Sequence, residues 1–104
     1  MNQKDAIAVL ARHESAQCPI PLSFMREVIE PMSTVYIKDG NDYAIVPIDG
    51  RYQVIIVGTI IWLHGVKRGD IADINIFGVT DTFKQAYEQV LYVIRVDNAL
   101  DEED

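Results

Sequence analysis

A chain of 104 residues is long enough to bury one core and too short for two domains, and 33 Ile, Val, Leu and Phe make it too apolar for disorder throughout. Its formal charge of -7 is uneven: residues 1–96 hold 9 basic and 11 acidic groups, and "DNALDEED" at 97–104 supplies five more acidic ones. A near-neutral body whose only adjacent basic pair is Lys67-Arg68 argues against direct nucleic-acid binding, and a single cysteine, Cys18, excludes a disulfide-stapled scaffold.

Ile plus Val outnumber Leu by 25 to 5, so the core is expected to be sheet-rich, because β-branched side chains fit a pleated surface better than a helix. "MNQKDAIAVLARHES" has charges on both sides of only six apolar residues, too few for a signal-peptide core, which points to the cytoplasm. Within it, Asn2 is placed to cap a helix running to about Glu14. "CPIP" interrupts that pattern, giving a linker from Ser15 to Pro21 in which Cys18 is expected to be buried. A second helix fits Leu22 to Glu30, with Phe24, Met25, Val28 and Ile29 on one side and Pro31 as the stop.

From Ser33 the pattern is that of strands. "STVYIK" and "DYAIVPI" flank "DGN", and "DYAIVPI" is separated from "RYQVIIV" by "DG", a strong hairpin signal. Pro47 lacks an N–H and so belongs at an edge or bulge. "QVIIVGTIIWL", Gln53–Leu63, lies in an uncharged run from Tyr52 to Val66 that is too short for a spanning helix of about 20 residues. Its β-branching makes it a strand, apolar on both faces and so needing cover on both; Gly58 is expected to mark a bulge or bend. "HGVKRGD" reads as a loop, and "IADINIF" as a half-exposed fourth strand.

The clearest element is last. From Thr80 to Arg95 the apolar residues fall within an arc of about 160°, with Tyr92 opposite Phe83 in the centre of the polar side. The expected fold is therefore α+β: two short N-terminal helices, a four-stranded, mainly antiparallel meander, and a C-terminal amphipathic helix on one sheet face. Residues 1–96 form one domain, and 97–104 an acidic tail expected to be disordered. "DGRYQV" followed by "FGVTDTFKQAYEQVL" resembles the strand, turn and helix order of HicB-like antitoxin domains. The long interval between the two stretches and the N-terminal helices depart from that family, and no functional residue carries over.

Chemistry is sparse. His13, Cys18 and His64 are far apart in sequence, no metal-ligand spacing occurs, and no phosphate-cradling glycine motif or nucleophile elbow is present, so neither metal nor cofactor is expected. "RGD" at Arg68–Asp70 matches an adhesion tripeptide but is better read as part of a solvated turn. By subtraction, the expected function is a non-enzymatic protein-binding module, an antitoxin, immunity or inhibitor protein of bacterial or phage origin. Its partner-binding residues would be Trp62, His64, Lys67, Arg68, Asp70 and Tyr92, with Asp101, Glu102, Glu103 and Asp104 attracting a basic partner. A homodimer is expected, because one sheet face otherwise lacks full cover. The alternatives are a homo-oligomeric small-molecule binder and an enzyme using His64 with Asp70 or Asp73.

Overall fold

A computed structural model describes residues 1–102. Helix α1 (Gln3–Ser15) starts where expected: the Asn2 side chain accepts the Asp5 N–H at 2.8 Å. The linker holds an extra strand, β1 (Ile20–Pro21), and Cys18 is exposed. Helical backbone then runs without a break through α2 (Leu22–Phe24), a π-helical stretch (Met25–Ile29) and α3 (Glu30–Met32). Pro31 does not stop it. A proline ring inside an α-helix meets the carbonyl four residues back, and the wider π turn ahead of Pro31 relieves that clash.

Strands β2 (Val35–Asp39), β3 (Asn41–Ile48), β4 (Arg51–Leu63) and β5 (Val66–Thr80) form the meander, and β1 adds at the edge beside β5. The order β1-β5-β4-β3-β2 is antiparallel at every pairing, so the sheet has five strands rather than the expected four. Asp49 and Gly50 both take positive φ, 51° and 75°, the primed turn that "DG" predicts. The Ile45 carbonyl accepts the Thr34 N–H at 2.8 Å, so the backbone of Pro47, two residues on, points to the same side, beyond the start of β2. No ladder bond is lost there.

Both faces of the central strand are covered, from within the chain. On one side Ile55 and Val57, with Ala44, Val46, Ala72 and Ile74, pack against Ala6, Leu10, Leu22, Met25 and Ile29 of the N-terminal helices. On the other, Tyr43, Ile45, Val54 and Ile56 pack against Ala86 and Val90 of α4 (Phe83–Glu102). The N-terminal helices suffice for the centre of the sheet, which removes the original reason for expecting a dimer.

Helix α4 is entered through a capping box: Thr82 Oγ1 accepts the Gln85 N–H at 3.1 Å, and Gln85 Oε1 accepts the N–H groups of Asp81 and Thr82. It passes Arg95 and continues to Glu102, so residues 97–102, expected in the disordered tail, are helical. Asp97 ties this end to the sheet, accepting from the Tyr43 hydroxyl at 2.7 Å and from Asn41 at 3.1 Å. On the opposite face a half-buried ion pair fastens the π-helical stretch to β3. Asp42, 2 % exposed, accepts from Arg26 Nε at 3.1 Å, Arg26 Nη2 at 3.2 Å and the Tyr36 hydroxyl at 2.5 Å.

Candidate functional site

The strands of the meander are unequal, and the inequality makes the site. β3 is 8 residues long and β4 is 13; their pairing ends with Asn41 opposite Gly58. On the far side β1 reaches only Ala72 and Ile71 of β5. Past both limits, from Ile61 onward, β4 and β5 continue as a two-stranded arm, and on its β3 side β4 is open over Thr59–Leu63, about 17 Å.

The arm closes on His64 and Gly65, both at positive φ (52° and 79°), so the turn is two residues long and Val66 already pairs with Leu63. "VKRGD" is therefore strand and not the expected loop. Its irregularity is a bulge opposite Ile61: Ile60 pairs with Ile71, but Trp62 pairs with Lys67, which leaves Arg68, Gly69 and Asp70 between. Gly69, at φ 122°, supplies the bend, and the Arg68 guanidinium binds the Asp70 carboxylate through two hydrogen bonds of 2.9 and 3.2 Å. That hydrogen bonding, with the charge behind it, lowers the Asp70 carboxyl below its ordinary pKa and raises the guanidinium above its own. Arg68 and Asp70 thus satisfy one another instead of being splayed outward. Gly58 is regular, paired with both Asn41 and Asp73; the bulges lie in β5, opposite Val54 and Ile61.

The arm concentrates exposed apolar side chains, as the outer side of α4 does with Tyr92, Val96 and Leu100. Ile61 is 52 % exposed, Trp62 61 % and Val66 59 %, with Ile60, Leu63 and Ile71 half-buried beside them. A two-stranded ribbon has no core of its own, so these side chains have only each other. Trp62, His64, Lys67, Arg68 and Asp70 are all brought together on this arm. Tyr92, 67 % exposed, stands apart on the outer side of α4; Asp101 and Glu102 are in the last turn of that helix, and Glu103 and Asp104 lie outside the described residues. Ile61 and Val66 belong to the site although sequence reasoning did not single them out. The legible signal was run length, since a third strand of eight residues leaves the end of a thirteen-residue neighbour unpaired.

At the foot of the arm, on the α4 side, a cleft of about 390 Å³ is lined by Asn41, Gly58, Asp73, Asn75 and Asp97 among others. Gly58 keeps it open, since a Cβ there would lie 3.3 Å from Asn41 Oδ1. His64, at the tip, is not joined to Asp73, which pairs opposite Gly58 near the foot, and Asp70 is engaged by Arg68. Among the described residues no three His, Cys, Asp or Glu side chains cluster as metal ligands, and no helix is long and apolar enough to cross a membrane.

No protein-family model, curated protein or solved structure matches the chain, so the likeness to HicB-like antitoxins rests on the order of elements alone.

Proposed function

We propose that the chain is a non-enzymatic protein-binding module acting in the cytoplasm, an antitoxin, immunity or inhibitor protein that engages its partner through the β4–β5 arm. The observation behind this reading is the exposure of Ile61, Trp62 and Val66 together on a projecting ribbon. Large exposed aliphatic and aromatic groups contribute about 1.5–3 kcal/mol each when a partner covers them, and tryptophan is enriched among the anchors of protein interfaces. The exposed thiol of Cys18 fits a reducing compartment. The four carboxylates that end the sequence, Asp101 to Asp104, favour a basic partner.

The test is co-purification from the native source with wild type, an Ile61→Ser/Trp62→Ser double variant and a Tyr92→Ser control. A partner kept by wild type and Tyr92→Ser but lost by the double variant supports the reading; one kept equally by all three contradicts it. A second reading, small-molecule binding, is favoured by the polar cleft at the foot of the arm. A thermal shift produced by a metabolite and abolished by Gly58→Val, which would fill that cleft, separates the two.

A further inference from the structure

Among the described residues, the long open edges of this sheet are guarded except one. The outer edge of β2 carries Lys38 and Asp39, with Lys38 held 2.8 Å from Glu30. Along β5, β1 covers Ile71 and Ala72, the Glu14 carboxylate accepts the Ile76 N–H at 2.6 Å, and the tip has Lys67, Arg68, Asp70 and a bulge. These are the devices that keep edge strands from pairing with other chains: charges, a short covering strand, a capped N–H and a local twist. The β4 edge from Thr59 to Leu63 has none. Its five residues, Thr-Ile-Ile-Trp-Leu, include no charge and no proline, and past Gly58 no strand pairs with that side.

We propose that this edge is occupied by a second copy of the chain, in an antiparallel, two-fold pairing centred on Ile61. The proposal rests on the arm being an interface and names what covers it. An uncharged strand is self-complementary in that arrangement: Ile61 meets its own counterpart, Ile60 lies opposite Trp62, and Thr59 lies opposite Leu63. Electrostatics select the same place. The whole chain carries -7, yet the segment from Thr59 to Ala72 contains Lys67, Arg68 and Asp70 only, a net +1. Two chains of net negative charge thus approach with least repulsion arm to arm. The pairing is isologous and closes on itself, giving a dimer with one continuous sheet through two arms rather than a fibre.

The contact is small for a stable dimer, so the association is expected at micromolar concentration or above. The experiment is sedimentation of the full chain over a concentration series, with Ile61→Lys, Ile61→Glu and an equimolar mixture of the two. Wild type should rise from 11.8 kDa toward twice that mass. Each single variant sets like charges opposite one another and should weaken association at least about tenfold, and the mixture should restore it. Recovery in the mixture also shows that both variants fold. A wild type that remains at 11.8 kDa at the highest concentration overturns the second-copy assignment. Association unchanged in both variants overturns the edge pairing. A monomer whose arm still captures a different protein leaves the proposed function standing while this inference falls; loss of both removes the arm as an interface.

Discussion

The ion pair between Arg26 and Asp42 should be asymmetric in its response to mutation. The Asp42 side chain is 3 % exposed and that of Arg26 44 %, so the two partners have different escape routes when the other is removed. Arg26→Met leaves a buried carboxylate with only the Tyr36 hydroxyl to solvate it. Breaking a fully buried pair this way costs about 3–5 kcal/mol, and discounting for solvent around Arg26 gives about 2–4 kcal/mol. Asp42→Ala instead releases a guanidinium that can turn into water, and the loss is mainly the Tyr36 hydrogen bond and some packing, about 1–2 kcal/mol. At about 5 °C per kcal/mol for a domain of this size, melting should fall by roughly 10–20 °C in Arg26→Met and 5–10 °C in Asp42→Ala. Urea unfolding followed by circular dichroism at neutral pH measures both, provided the slopes match wild type. An Asp42→Ala variant as destabilised as Arg26→Met, or either within about 0.5 kcal/mol of wild type, would refute the burial argument.

Alkaline stability should track two phenols, that of buried Tyr43 and that of half-buried Tyr36. Burial, followed by the hydrogen bond to Asp97, raises the Tyr43 pKa from about 10 to about 12, and burial followed by the bond to Asp42 raises that of Tyr36 as well. Both folded values lie above the unfolded one, so both contributions are intact below pH 10; that of Tyr43 is lost as pH rises through about 12, and that of Tyr36 goes on falling at higher pH. Melts between pH 9 and 12 should show a shallower decline for Tyr43→Phe. Asp97→Ala removes two hydrogen bonds and should cost about 1–2 kcal/mol, with faster amide exchange confined to the last turns of α4. Leu10→Ala, at a fully buried position, should cost about 2–5 kcal/mol, whereas Trp62→Ala should remain within about 1 kcal/mol of wild type. A Trp62→Ala cost above about 2 kcal/mol would make Trp62 a core residue and not a contact residue.

The features that local chemistry decides were legible in the sequence. Asn2 caps α1, Asp49-Gly50 turns β3 into β4, and the apolar arc after Thr82 packs α4 on the sheet, because each depends on a few adjacent residues. What was hidden depends on distant partners. Ile20 and Pro21 become a strand only because β5 lies alongside. Charged "VKRGD" looks like loop, yet a Gly69 bulge and the Arg68–Asp70 pair let it continue β5. Asp97 looks like the start of an acidic tail until Tyr43 and Asn41 are brought beside it. The two-sided apolar character of Gln53–Leu63 was read correctly for Val54–Val57 and incompletely for its end. Sequence shows that both faces need cover, but only the length of β3 shows where the cover stops.

Amide hydrogen exchange resolved by residue and repeated at several protein concentrations tests most directly whether the β4 edge is an interface. Protection within Thr59–Leu63 should rise with concentration while Val54–Val57, already buried, remains unchanged. Exchange from Thr59–Leu63 that is equally fast at every concentration would contradict it.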